Sequence, residues 1–169
     1  MNWISIDPAK GISGVAYWWR TELLGTRIVK ARGNKGAFYV GEYISPSRSD
    51  AWDEVLATQS LAVMEKGAGG RANIVSAQGW ICGYIKKTAD QLDVPTHIVN
   101  VSEWRRCIKE GYDVSWPQNR ERKKALAVQL VKRIYGLDVT DDEADAVLLG
   151  LAAIRMGLSC NTKQNEVTA

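Results

Sequence analysis

The sequence predicts an α/β fold in which helices layer on a mixed sheet. Three observations carry this expectation. Short apolar strands separated by turn residues open the chain. A long run at helical spacing, about 72–92, then lies between two further apolar strands. Two more helical stretches close the chain, one of them apolar nearly all round. The 169 residues, 46% hydrophobic and 24% charged, have the length of about one domain with a real core. Disorder, collagen-like repeats and coiled coil do not fit that composition.

Trp3 to Ile6 reads as a strand that stops at Asp7-Pro8, where proline ends ladder pairing. Gly11 and Gly14 flank a turn, and Val15 to Trp19 is the second strand of a hairpin. A third strand lies in 26–31 or in 37–44, with the basic turn Arg32–Gly36 between those two runs. Ser47 to Ser49 caps a short helix over Ala51–Ala57, and Leu61 to Met64 is a strand ending at Glu65. The Gly-rich basic loop Lys66–Arg71 leads into the long helix. Ile74, Ala77, Gln78, Ile81, Tyr84, Ile85, Thr88 and Leu92 repeat along that helix at its own period.

Pro95 closes the helix, and His97 to Val101 is another strand. Ser102 caps a short helix with Glu103 in its first turn, and 110–119 reads as loop. Arg120 to Tyr135 is amphipathic and ends at Gly136. The last helix runs from near Thr140 to about Met156, with Thr140 and Glu143 forming a capping box. Residues 1–158 are read as one domain and 159–169 as a polar, frayed tail.

Several function classes drop out early. Subtracting 19 acidic from 22 basic residues leaves a net charge of +3, too mild to name a partner. Three scattered cysteines make neither a disulfide framework nor a zinc knuckle. A single histidine, His97, excludes a His-rich metal site and reads as a core residue of its strand. No signal segment opens the chain, and the longest apolar run, broken by Asp145, is far short of the ~20 residues of a membrane span. The expected location is the cytoplasm, and no membrane partner is expected.

Four acids stand in unusual places. Asp7 ends the first strand and Glu65 ends a later one; Asp142 and Asp145, three apart, project from one face of the last helix. If the two strands are neighbours, Asp7 and Glu65 share a sheet edge, and the apolar helix packed on that sheet brings Asp145 toward them. Carboxylates gathered in this way need cations or protons. All-oxygen ligands at a partly open site suit Mg²⁺ or Mn²⁺. Two such ions ~4 Å apart hold the attacking and leaving oxygens of an in-line phosphoryl displacement, with no protein nucleophile. Taken singly, three of the acids also have ordinary explanations: Asp-Pro turn chemistry, solvation of a Gly-rich loop, and an acidic helix start. Asp145, set into the apolar run, has none, because burying it unpaired is costly.

The opening Ile-Ser-Ile-Asp-Pro with Ser-Gly-Val-Ala after it, Glu65 closing an apolar strand, and Asp-Asp-Glu-Ala-Asp-Ala-Val at 141–147 resemble the RuvC-type Holliday junction resolvases. The resemblance covers about 3–155. It implies a ribonuclease H-like fold, a five-stranded mixed sheet of order 3-2-1-4-5 with helices on both faces. It puts the family's metal-binding acids on Asp7, Glu65, Asp142 and Asp145, and its DNA-backbone lysine on Lys124, with Lys123 as the close alternative. It further implies a homodimer through the 72–92 helix and Mg²⁺-dependent paired nicking of four-way DNA junctions by metal-activated water. The loop after Glu65 lacks the family's aromatic, and 32–48 is longer than its usual connection. Both fit a divergent branch of the kind phages carry, working in the host cytoplasm.

Arg120, Arg122, Lys123 and Lys124 open a helix, where backbone N–H groups also favour phosphate. Beside a carboxylate site they read as a DNA surface, with Lys66, Arg71, Arg32 and Lys35 as further contacts and Arg105 and Arg106 upstream. Trp116, in a loop by this cluster, is a candidate for stacking on a base, although tryptophans are mostly core. Two alternatives stay open: the same chemistry on flaps, branched DNA or RNA–DNA hybrids, and a non-catalytic DNA-binding module. An actin-like or sugar-kinase ATPase also opens with a strand-Asp, but needs two such domains.

Overall fold

The computed structural model describes residues 1–9, 12–30, 49–66 and 72–160. Strands β1 (Asn2–Asp7), β2 (Ile12–Trp19) and β3 (Glu22–Lys30) form an antiparallel meander. Strand β4 (Ala62–Lys66) runs parallel to β1, and β5 (Thr96–Asn100) parallel to β4. The sheet order is β3-β2-β1-β4-β5, the order that the resemblance implied. The helices are α1 (Ser49–Leu56), α2 (Ala72–Gln91), α3 (Val101–Tyr112), α4 (Arg120–Tyr135) and α5 (Asp141–Arg155).

The period-2 alternation of the two central strands sorts the core into two layers. Ile4, Ile6, Ala62 and Met64 face one side and pack with Trp52 and Val55 of α1 and Ile85 and Ala89 of α2. Trp3, Leu61 and Val63 face the other side, against Trp104 of α3, Leu130 and Val131 of α4, and the α5 run. Asp7 continues the Trp3–Ser5 side of β1, and Glu65 the Leu61–Val63 side of β4. Both acids therefore end their strands on the face that α5 covers.

Two features seat α5. Ser5, fully buried, donates its hydroxyl to the Ala146 carbonyl at 2.7 Å and accepts from Trp18 Nε1 at 2.9 Å. The Ser5 hydroxyl and the Trp18 indole N–H are thus both satisfied, and β1 is tied to the helix carrying two of the acids. The indole of Trp18, stacked on Trp3 at 5.3 Å, lies where a side chain at Gly150 would be, 2.5 Å from an added Cβ. Only glycine lets α5 lie this close to the sheet.

Several sequence expectations are corrected. The third strand starts at Glu22, after the two-residue turn Arg20–Thr21, and ends at Lys30; the rival run 37–44 lies outside the described residues. Gly14 stands within β2, paired with Asp7, and does not flank the turn. Helix α3 is capped by Asn100, whose N–H donates to Glu103 Oε2 at 3.1 Å, so β5 passes straight into the helix without a loop. It also runs on to Tyr112 through residues expected as loop. His97 is half-buried on the edge strand β5 rather than in the core. At the expected boundary between domain and tail, Leu158–Cys160 form a 3₁₀ turn with Ser159 buried, and 161–169 lie outside the described residues.

Helix α2 matches its expected span, but part of its apolar stripe is already used. Ile85 is fully buried against the chain's own sheet, and Ile81 and Tyr84 pack on the same cluster. That part of the stripe belongs to the chain's own core. Among the described residues no helix is long and apolar enough to cross a membrane.

Candidate active site

The acids converge as the strand and helix geometry requires. Ile6 pairs with Met64 in the parallel β1–β4 ladder, so Asp7 and Glu65 follow one residue on, side by side at the strand ends. Asp7 pairs with Gly14 across the β1–β2 ladder. A Cβ added to Gly14 would lie 2.0 Å from the Asp142 carbonyl oxygen, so the first turn of α5 rests directly on the β2 backbone there. This contact brings Asp142 to Asp7. One helical turn on, Asp145 faces the same spot.

The electrostatics record the crowding. Burial, then the charges of Glu65, Asp145 and Asp142, hold the Asp7 carboxyl well above its usual range. Burial pushes Glu65 up to about 7, against the indole N–H of Trp104, which donates to Glu65 Oε2 at 2.8 Å. Burial pushes Asp145 up to about 6, opposed by Arg105 and Lys124. Negative charge is costly here without a further cation.

Two cations already lean on the cluster. Lys124 Nζ bonds Asp141 and stands 3.7 Å from Asp142. The Asp141 bond raises the lysine's proton affinity and lowers that of the aspartate. Arg105 places a terminal nitrogen 3.8 Å from Asp145, too far for a hydrogen bond, with its guanidinium over the rings of Trp104 and Trp116. Among the described residues no three His, Cys, Asp or Glu side chains form a ready ligand set for a metal ion. The donors nonetheless fit one class of ion. All are carboxylate oxygens, their crowding makes negative charge costly, and each of the four residues is only partly buried. Mg²⁺ and Mn²⁺ are held in this way, by one or two carboxylates with waters and substrate phosphates completing the shell.

The five residues Asp7, Glu65, Asp142, Asp145 and Lys124 therefore gather at one place. Arg120 and Arg122 are exposed at the start of α4, and Lys123 is half-buried beside them. Asn119 caps this helix through Arg122 N–H at 3.1 Å. Lys66 is exposed one residue past Glu65. Arg32, Lys35 and Arg71 lie outside the described residues. Trp116 is held in place rather than loose in a loop: it meets Trp104 edge-on at 5.7 Å, donates its indole N–H to the Arg105 carbonyl at 2.9 Å, and still lines the groove between α3 and the start of α4.

Trp104 is the site residue that sequence reasoning missed, and Arg105, expected only as an upstream part of the basic cluster, stands beside Asp145. The usable signal was the start of α3, directly after β5, whose neighbour β4 ends in Glu65. A helix opening there must lay its first turn against that acid.

No family model matches the sequence, and no curated protein matches it. Among solved structures the chain is similar to T. thermophilus RuvC in complex with Holliday junction substrate, with a TM-score of 0.64 and 18% identity. A second structure of Thermus thermophilus RuvC gives a TM-score of 0.62 at 18% identity. Each comparison covers 93% of this chain and 97% of the other. At that identity the similarity establishes the architecture: the chain has the RuvC-like, ribonuclease H-like fold.

Proposed function

We propose that this chain is a divalent-metal-dependent endonuclease that resolves four-way DNA junctions by paired nicks. One observation carries the reading. Asp7, Glu65, Asp142 and Asp145, from two strand ends and one helix, are pooled at one sheet edge with more negative charge than Lys124 and Arg105 offset. The four acids would hold Mg²⁺, or Mn²⁺ in its place, and two ions bound there would supply an activated water and charge for the leaving oxygen.

The chain's own groups do the rest. Trp104 fixes the Glu65 carboxylate through its indole N–H. Arg105 sets positive charge 3.8 Å from Asp145. Lys124, held by Asp141 and Asp142, keeps an ammonium beside the acids, where a phosphate gains charge in the transition state. Arg120, Arg122 and Lys123 extend positive charge along α4 to track a DNA backbone. Lys66, Arg71, Arg32 and Lys35 are further proposed contacts.

The choice of junctions as the substrate is supported by the fold shared with RuvC, a structure of which is in complex with Holliday junction substrate. A four-way junction is two-fold symmetric, and each chain offers one such acid cluster. A C₂ homodimer supplies the second. Gly79 and Gly83 of α2 are exposed, with open space beside them, and allow close approach of a partner helix.

The test is incubation with labelled four-way junction, flap, duplex and RNA–DNA hybrid, in Mg²⁺ and in Mn²⁺. Matched nicks in opposite junction strands are expected, absent in Asp145→Asn. Preferential cutting of flap or hybrid would reassign the substrate. No cutting of any would refute the nuclease.

A further inference from the structure

The acid cluster has a basic neighbour. A cavity of about 370 Å³ opens between α3 and the start of α4. Arg105, Arg106, Lys109 and Lys123 line it, with Trp116 and Pro117 as its apolar wall. None of its lining residues is acidic. Four cations around one cavity set up a local positive potential that favours an anion there. Arg105 joins this cavity to the acids, since its guanidinium also stands 3.8 Å from Asp145. That guanidinium is under-satisfied: the Asp145 contact is too long for a hydrogen bond, and its buried Nε–H has no hydrogen-bond partner.

We propose that this cavity is a nucleotide subsite, taking one phosphate on its cations and the attached nucleoside against Trp116 and Pro117. The size fits, because sites for small organic ligands start at about 300 Å³. A lone phosphate would leave most of the space and the apolar wall unused. The location also fits. One side chain, Arg105, spans the cavity and the acid cluster, so a nucleotide held here is a close neighbour of a phosphodiester at the acids. An unstacked nucleotide lodged here would fix the strand's register at the cut and let the cavity sense the identity of that base. This deepens the nuclease reading and rests on it for the source of the nucleotide.

The test uses mononucleotide binding to the intact chain in EDTA, where no cutting occurs. The probes are dTMP, inorganic phosphate and thymidine, followed by the Trp116 indole ¹H–¹⁵N signal, assigned with Trp116→Phe. Expected is a saturable Trp116 shift with dTMP, with a Kd at least ten-fold below that for phosphate and no shift with thymidine. Arg106→Gln with Lys109→Gln, both exposed positions, should raise the dTMP Kd at least ten-fold while the far-ultraviolet circular dichroism stays unchanged. An unmoved Trp116 signal, equal affinity for dTMP and phosphate, or an unaffected double variant would each overturn the subsite. Junction cleavage by the wild-type chain is scored separately, so loss of the subsite leaves the nuclease reading standing, and the reverse also holds.

Discussion

Gly14 is the position where one methyl group should dismantle the site. Its α-carbon touches the first turn of α5, and an added Cβ would sit 2.0 Å from the Asp142 carbonyl oxygen and 2.9 Å from the Glu143 nitrogen. Relaxed carbon–oxygen contacts lie at about 3.3 Å or more, so helix and strand must separate by roughly 1.3 Å. Both contacts are backbone, so no side chain can swing aside. Overpacking of this kind costs about 1–3 kcal/mol. For a chain of this length that lowers Tm by roughly 4–8 °C, at about 2 kcal/mol. The same shift moves Asp142 and Asp145 away from Asp7 and Glu65, and a misplacement of about 1 Å costs on the order of 100-fold in rate. The assay pairs thermal melting with junction cleavage in Mg²⁺ for Gly14→Ala, with Gly25→Ala as control. Gly25, in β3, has nothing within 4 Å of an added Cβ, and its variant should match wild type in both measurements. Wild-type melting and cutting by Gly14→Ala would refute the idea that α5 is seated on the β2 backbone and sets the spacing of the acids.

Asp145→Asn should abolish cutting yet bind junctions as well or better, since it removes negative charge near phosphate, and should raise the metal-free melting temperature by the equivalent of about 1 kcal/mol; gel shift and melting check both. Lys124→Ala should slow cutting by roughly 100-fold or more with a smaller loss of binding, as removal of a transition-state contact does. Arg120→Ala should mainly weaken binding and flatten its salt dependence by about one phosphate contact, and equal losses of affinity alone in both variants would deny Lys124 a catalytic role. Light scattering at micromolar concentration should give the mass of two chains; a single-chain mass, free and on a junction, would end the paired-nick scheme.

Much of this fold could be read from local signals. Helix α4 ends where Gly136 takes a positive φ, and Thr140 with Glu143 marks the start of α5, because caps are written in adjacent residues. Asp7, Glu65 and Asp145 were visible because each interrupts or ends an apolar run, and Asp142 because it stands three residues before Asp145 on the same helix face. What escaped depends on distant partners. The β2–β3 turn carries Arg20 at φ 54, with no Gly or Asn to announce it. Its bonds come from elsewhere: Trp3 Nε1 donates to the Arg20 carbonyl at 2.7 Å, and Arg20 N–H to the Met1 carbonyl at 3.1 Å. The start of β3 was lost with that turn. The apolar period of α2 shows that something covers Ile81 and Ile85 but not what, and the chain's own sheet proves to be the cover. Trp104 reads as an ordinary helix residue, and Arg105 as one more cation of the basic cluster, until β5, running without a loop into α3, sets them against Glu65 and Asp145.

The central claim is that Asp7, Glu65, Asp142 and Asp145 act as one group that holds divalent metal. Calorimetric titration of Mn²⁺ into the DNA-free chain tests it most directly, alongside Asp7→Asn, Asp145→Asn and Asp138→Asn, the last an exposed aspartate paired with Lys132 away from the cluster. Saturable binding is expected in wild type and in Asp138→Asn, weakened at least ten-fold in Asp7→Asn and in Asp145→Asn. Equal Mn²⁺ affinity in all four proteins would contradict it.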